Sequence, residues 1–284
     1  PTGLCNPGKI IPMLRGCGEG RAIAPSNGEP ATNNQVHLPP QKNDARSVTS
    51  FSRHFDIAAA LIRLQKIVGD QHCSTYSDRS VVVSPASAEE VSEIMKLAGS
   101  EGWTVLPAGA WTWLDSLYPS AANLIVRTSR MNRVIEHEPA DLVAITEAGV
   151  GLMDLNRKLG ENGQWLPLDP PSSGRATIGG VVATGLAGAQ QFGYGRPRGS
   201  VIGMKVVLSD GSMIKAGGRV VKNVAGYDLC KLFTGSYGTL GVITELNFKL
   251  RPLPEHEATA VAMGDDDGLM AAGRQILQAN LFPV

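Results

Sequence analysis

Apolar positions set the first elements. Ile57, Leu61, Leu64 and Val68 recur at helical spacing, with Asp56 placed to cap the helix over 57–68 and Gly69 to end it. Val91, Ile94, Met95 and Ala98 form a second stripe, introduced by Ser87 and Glu90 at capping-box spacing. A β-branched run at 81–84, closed by Pro85, and another apolar run at 103–106 read as strands on either side of that second helix. Strand, helix, strand in this order predicts parallel pairing through a right-handed crossover. Residues 107–110 then make a tight connection out of the second strand.

Short strands are predicted at 124–127, 134–137 and 142–146, and an amphipathic helix over 152–162 that stops at Gly163. Thr177 is placed to cap a Gly/Ala/Val helix. Residues 202–208 and 212–216 flank Asp210-Gly211 and predict a hairpin. A short helix follows over 227–233. In 242–250 the residues alternate, with Thr244, Leu246, Phe248 and Leu250 on one side and Glu245, Asn247 and Lys249 on the other. A further strand at 256–263 and a helix at 269–279 read as the opening of another module, with Asp265, Asp266 and Asp267 ahead of that helix as a solvated acidic turn.

Composition changes this picture at the N-terminus. Residues 1–21 are rich in Gly, Pro and Cys, and from about 22 to 55 the chain is Pro, Asn, Gln and Ser with few large apolar side chains. Such a stretch cannot bury enough surface to order itself and reads as a linker. Over all 284 residues, 26 basic side chains balance 26 acidic ones, so no global field favours nucleic acid or a membrane surface. Cys5, Cys17, Cys73 and Cys230 include no C-x-x-C pair, which supports neither zinc nor an iron–sulfur cluster in this chain. No metal site is expected. The longest uncharged apolar-and-glycine run, 178–189, is too short to span a bilayer, so no transmembrane segment is expected. The first residue is Pro1 and no signal peptide opens the chain, which suggests a fragment of something longer.

Glycine supplies the candidate chemistry. Residues 176–195 (ATIGGVVATGLAGAQQFGYG) and 222–245 (KNVAGYDLCKLFTGSYGTLGVITE) combine dense glycine with apolar residues. Backbone without Cβ atoms can approach a large polyanionic ligand closely. A P-loop is excluded, because neither Gly180 nor Gly188 precedes a Lys-Ser/Thr pair. The dinucleotide fingerprint fails where Gly193-Tyr194-Gly195 runs into Arg196-Pro197. What stays open is a helix whose first turn, Ile178-Gly179-Gly180-Val181, offers free amides to a pyrophosphate, or a glycine-packed buried helix with no ligand.

The run from about 80 to 254 resembles the FAD-binding domain of the vanillyl-alcohol oxidase / p-cresol methylhydroxylase superfamily. More narrowly, ATIGGVVATGLAG and RVVKNVAGYDLCKLFTGSYGTLGVITE resemble the FAD-binding E subunit of bacterial glycolate oxidase (glycolate dehydrogenase). GLCNPGKIIP, at 3–12, resembles the extreme C-terminus of its D subunit, which suggests a D–E fusion. The resemblance implies an α+β fold: a domain of two α/β subdomains over 56–254 with FAD held non-covalently between them, a D-like tail at 1–21, a linker at 22–55 and the start of a cap domain at 255–284.

It also implies site residues. Pro107 and Gly109 would belong to the first FAD loop. Pro171, Ser172, Ser173, Ile178, Gly179 and Gly180 would contact pyrophosphate and flavin, followed by Thr184, Gly185 and Gly188. Lys222, Asn223, Gly226 and Tyr227 would lie by the cofactor, with Gly241, Val242 and Ile243 offering main-chain groups to the adenosine portion. The superfamily's first loop is usually richer in glycine; here residues 108–113 carry Gly109 together with two indoles, Trp111 and Trp113, which suit either stacking on a ring or plain packing.

The implied reaction is hydride transfer from a small 2-hydroxy acid, glycolate above all, to flavin, with electrons leaving through an iron–sulfur subunit and a D-type FAD subunit or domain as a further partner. The implied location is cytoplasmic, with attachment to the periphery of the inner membrane through the complex. The alternative is a non-catalytic assembly domain of that complex. No catalytic residue is singled out: His137 between Glu136 and Glu138 reads as a solvated strand end, Arg196 and Arg198 suit a phosphate, a carboxylate or a surface loop equally, and Cys230 reads as buried rather than reactive.

Overall fold

The computed structural model describes residues 55–113, 122–218, 227–257, 261 and 263–279. The tail at 1–21, nearly all of the linker, and Lys222, Asn223 and Gly226 therefore lie outside the described residues. All that follows belongs to the unit formed by Phe51–Val284.

Local signals place the first elements. Helix α1 (Ile57–Val68) opens on Asp56, whose carboxylate accepts from the Ala59 amide at 3.1 Å, and closes at Gly69 with φ +86°. Strand β1 (Cys73–Ser77) pairs antiparallel with β2 (Ser80–Val83). Sequence pattern misses β1 because only its first residue, Cys73, is buried. Helix α2 (Ala88–Glu101) begins at the Ser87 cap, and Glu90 reaches back to the Ala86 amide at 2.7 Å. Strands β3 (Val105–Ala108) and β4 (Leu124–Arg127) complete a four-stranded sheet in the order β1-β2-β4-β3. The crossover does leave β2 and β3 parallel, but they are not neighbours. Strand β4 inserts between them and pairs parallel with each.

The second sheet has five strands, all antiparallel, in the order β5-β6-β10-β8-β9. It is built from β5 (Val134–Glu138), β6 (Val143–Glu147), β8 (Val201–Val207), β9 (Met213–Gly217) and β10 (Val242–Lys249). Helix α3 (Leu152–Gly160) and the short strand β7 (Gln164–Trp165) precede three short helices, α4 (Ile178–Thr184), α5 (Gln191–Tyr194) and α6 (Pro197–Ser200). Leu152, Leu155 and Leu159 of α3, with Ile178, Val181 and Val182 of α4, pack on Leu246 and Phe248 of β10 to form the larger core. The alternation expected along β10 is only partly kept: Lys249 is exposed, but Asn247 is 4% exposed. As the middle strand β10 is covered on both faces, and the Asn247 amide donates to the Gly218 carbonyl at 3.4 Å.

Val91 and Met95 of α2 pack with Met131, Val207 and Val242, joining the two sheets through a third cluster of buried residues. The Ser92 hydroxyl adds a hydrogen bond to the Gly211 carbonyl at 2.5 Å. The arrangement is therefore a mixed α+β fold of two sheet-and-helix halves.

Helix α7 (Leu229–Phe233), capped by Asp228, precedes β10, and β11 (Arg251–Pro252) pairs with β7. Helix α8 (Asp266–Gln278) is capped by Asp265, whose carboxylate accepts from the Gly268 amide at 2.8 Å. Asp266 and Asp267 sit inside its first turn, not ahead of it, where their charge suits the helix dipole. No described residue between 256 and 263 is in a strand. Among the described residues, no helix is long and apolar enough to cross a membrane.

Candidate functional site

A cleft enclosing about 710 Å³, counting its open mouth, lies between the two halves. One wall is the loop leaving β3, residues 107–113, with Thr128 just past β4; these are the carboxyl ends of two parallel strands, where open α/β sheets commonly bind ligands. The other wall is Ala148, the first turns of α4, and residues 237–243 ahead of and into β10.

The cleft brings together eight residues singled out from sequence: Pro107, Gly109, Gly179, Gly180, Thr184, Gly241, Val242 and Ile243. Others are placed elsewhere. Ile178 has no exposed surface and belongs to the core face of α4. Gly185 closes α4 at φ +67°, and a Cβ on Gly188 would stand 2.0 Å from the Asp169 carbonyl oxygen, so both serve backbone packing. Pro171, Ser172 and Ser173 form an outer loop that does not line the cleft, and Tyr227 is 97% exposed. Lining residues that sequence did not assign include Thr128, Ala148, Ala183, Tyr237 and Gly238. Thr128 and Ala148 carry no local signal, whereas Ala183, Tyr237 and Gly238 lie within the glycine-rich stretches 176–195 and 222–245.

The expectation of free amides at the start of α4 is corrected by its hydrogen bonds. The Ile178 amide donates to the Val150 carbonyl at 2.9 Å and the Gly179 amide to the Ala148 carbonyl at 2.8 Å. The Gly180 amide donates to the Thr177 hydroxyl at 3.3 Å, and the Val181 amide to the Thr177 carbonyl at 3.0 Å. Every donor of that first turn is already paired, because the turn is docked against the chain that follows β6. The unpaired donors lie across the cleft. Among the described residues, the amides from Gly109 to Trp113 have no backbone or side-chain acceptor.

Glycine serves two purposes here. A Cβ on Gly179 would meet the Ala148 Cβ and carbonyl oxygen, each at 2.7 Å, and one on Gly109 would meet the Thr177 hydroxyl oxygen at 2.1 Å. Those positions are glycine because two protein segments touch. Gly180 differs: its added Cβ would stand 3.2 Å from the Thr177 hydroxyl oxygen and 3.6 Å from Trp113. Its side faces the cleft.

The aromatic wall is held rigidly. Trp111 has φ +68° and Tyr237 φ +55°, a left-handed conformation that costs a residue with a Cβ roughly 1–2 kcal/mol. Trp111 packs on Tyr76, with ring centroids 5.4 Å apart, and the Arg127 guanidinium sits 5.5 Å from its ring. The Trp113 indole nitrogen donates to the Pro171 carbonyl at 3.1 Å, and the Thr112 hydroxyl to the Arg175 carbonyl at 3.1 Å. These bonds tie the 107–113 loop to the 171–175 loop.

Electrostatically the described lining is neutral, with no Asp, Glu, Lys, Arg or His among the described residues that form it. Among the described residues an anionic ligand meets no repelling carboxylate and no neutralising cation, so on these walls its recognition falls to amide dipoles. The Thr hydroxyls at 112, 128 and 184 are already donated to backbone carbonyls. Candidate polar residues lie off the cleft. His137 is half-buried and bonds Gln164 at 2.9 Å, so it is not a freely solvated strand end. Arg198 pairs with Asp228 at 2.5 Å and donates to the Val201 carbonyl at 2.7 Å. Cys230 is 3% exposed, and burial pushes its thiol above the usual range.

Comparison with known proteins extends this geometry. Residues 80–217 match the family model of the FAD binding domain. The glycolate oxidase subunit GlcD of Bacillus subtilis is 35% identical over 204 residues, 71% of this chain and 43% of that protein. A mitochondrial D-lactate dehydrogenase (cytochrome) of Arabidopsis thaliana is 41% identical over 183 residues, 64% of this chain and 32% of that protein. The glycolate oxidase subunit GlcE of Escherichia coli is 38% identical over 152 residues, 53% of this chain and 43% of that protein. Among solved structures, an alkyldihydroxyacetonephosphate synthase superposes with a TM-score of 0.56 at 27% identity, covering 62% of this chain and 32% of its own. The chain thus spans less than half the length of these relatives.

Proposed function

From the premise that residues 80–217 carry a FAD-binding domain, of the vanillyl-alcohol oxidase / p-cresol methylhydroxylase type that these likenesses support, and that FAD is its cofactor, we propose that this chain is the flavin-carrying part of a 2-hydroxy-acid dehydrogenase. FAD is held without a covalent bond in the cleft between the two sheets. The observation that carries this reading is the cleft itself: its described lining is uncharged, with amides from Gly109 to Trp113 that have no acceptor among the described residues on one wall and Gly180 open to it on the other. A diphosphate can accept from such amides without meeting a carboxylate. Bound flavin supplies hydride-accepting chemistry. The residues named for it are Pro107, Gly109, Gly179, Gly180, Thr184, Gly241, Val242 and Ile243 of the lining, with Lys222, Asn223 and Gly226 on the same reading although they lie outside the described residues.

The substrate is a small 2-hydroxy acid, glycolate or D-lactate, in keeping with the names of the relatives. Its oxidation needs a base and a cation for the carboxylate. The described lining has neither, so these groups would come from outside the described residues or from a partner. On this reading the chain is an E-type component beside a D-type flavin subunit, with an iron–sulfur subunit taking the electrons. The same lack of a base favours, as a second reading, an assembly domain that binds flavin without turning over substrate.

Purified chain should be yellow, with FAD released on denaturation and re-bound on dialysis. A folded, colourless protein that takes up no added FAD would falsify the cofactor reading. Dye-linked oxidation of glycolate and D-lactate, with and without a D-type partner, separates the catalytic component from the assembly domain.

A further inference from the structure

Three aromatic side chains from two separate segments, Trp111, Trp113 and Tyr237, line one cleft. Two of them, Trp111 and Tyr237, sit on left-handed backbone that side chains with a Cβ rarely adopt. Such strain persists only where the surroundings over-determine it, and it gathers at ligand clamps. The surroundings here are visible. Tyr76 and Arg127 hold the Trp111 ring, the Pro171 carbonyl holds the Trp113 indole nitrogen, and the Tyr237 amide donates to the Ala183 carbonyl at 2.7 Å. Simple core packing would not need these rings at a cavity wall, and Tyr237 keeps 48% of its surface exposed.

We infer that Trp111, Trp113 and Tyr237 form a preorganised aromatic clamp that stacks on a planar heteroaromatic ring of the bound ligand. The inference rests on the cofactor reading above and adds the part of the ligand these residues recognise. The described lining has no charged side chain, so what it can contribute to selectivity is shape, amide dipoles and ring faces. Rings fixed before binding lose little freedom on complex formation, which favours affinity. Both the isoalloxazine and the adenine of FAD offer such a face, and the test separates them.

The full chain is titrated with FAD, with riboflavin (isoalloxazine but no diphosphate) and with ADP (adenine and diphosphate but no isoalloxazine), following tryptophan emission and flavin emission. In the wild type, FAD and one of the two fragments quench tryptophan emission. Trp111→Leu and Trp113→Leu should each weaken FAD by about tenfold or more, the scale of one lost stacking contact. Trp→Phe at either position should restore most of the affinity. A parallel loss of riboflavin affinity, with recovered flavin emission, assigns the clamp to isoalloxazine. A parallel loss of ADP affinity assigns it to adenine.

Unchanged FAD affinity and emission in both Leu variants overturns the clamp while leaving the cofactor reading standing. Wild-type chain that binds no FAD at all overturns the cofactor reading first. If the Leu variants lose their far-ultraviolet circular dichroism, the wild-type titration still decides. FAD binding with no quenching of tryptophan emission by FAD, riboflavin or ADP refutes the clamp.

Discussion

Gly179 and Gly180 are adjacent in α4, yet the structure gives them opposite tasks, and replacing each by alanine tests this directly. At Gly179 the new methyl would stand 2.7 Å from both the Ala148 Cβ and its carbonyl oxygen. That oxygen is backbone and already accepts the Gly179 amide at 2.8 Å, so it cannot swing away without breaking the dock of α4. Overpacking of this kind costs about 1–3 kcal/mol, against which alanine recovers up to about 1 kcal/mol of helix propensity. Gly179→Ala should therefore lower the thermal midpoint. At Gly180 the nearest obstacle is the Thr177 hydroxyl oxygen at 3.2 Å, a side chain able to give by a few tenths of an ångström, and next is Trp113 at 3.6 Å. Strain and propensity roughly cancel, so stability stays within about 1 kcal/mol of the wild type. The methyl instead occupies the cleft, and FAD affinity should fall about tenfold for Gly180→Ala and further for Gly180→Val, tenfold being about 1.4 kcal/mol. Thermal melts by circular dichroism and FAD titration by flavin emission give the two readings. Equal destabilisation by both alanines, or undiminished FAD affinity in Gly180→Val, would refute the division of roles.

Three other outcomes follow from particular contacts. Asn156 brackets Leu166, accepting from its amide at 2.8 Å and donating to its carbonyl at 3.1 Å, so Asn156→Ala should cost about 2–3 kcal/mol in urea denaturation; a change under about 0.5 kcal/mol would rule out the bracket. Burial pushes the Asp228 carboxyl up, but hydrogen bonds from Arg198 and the Lys231 amide, with the charges of Arg198 and Lys231, outweigh it and leave it below its usual value. A carboxyl depressed on folding contributes stability above its unfolded value, about 4, and loses it as pH falls through the folded value, so Asp228→Asn should cost stability at neutral pH and little in acid. Urea midpoints across that range check it, and an equal cost at both ends counts against the ion pair. Burial pushes the Cys73 thiol to about 11 and the Cys230 thiol up as well, so neither should label with a thiol reagent at mild alkaline pH until the protein unfolds; peptide mapping by mass spectrometry reads the sites, and rapid native labelling would contradict their burial.

What sequence alone determined is local. The caps at Asp56, Ser87 and Thr177, the glycine stop at Gly69, the stripes of α1 and α2 and the Asp210-Gly211 hairpin are set by neighbours a few residues apart. The glycine-rich stretches also marked where the cleft would be walled, since Gly179, Gly180 and Gly241 all line it. Tertiary structure decided the rest, because pairing and burial depend on atoms remote in the chain. Strand β4 enters between β2 and β3 although it follows both, and Asn247 is buried because β10 has neighbours on either edge and cover on both faces. The first amides of α4, free to any local reading, are taken by Val150 and Ala148 more than twenty residues upstream, and among the described residues the donors without an acceptor lie on the opposite wall, from Gly109 to Trp113. Periodicity tells which face of a helix is apolar; only the folded chain tells which carbonyl stands in front of each amide.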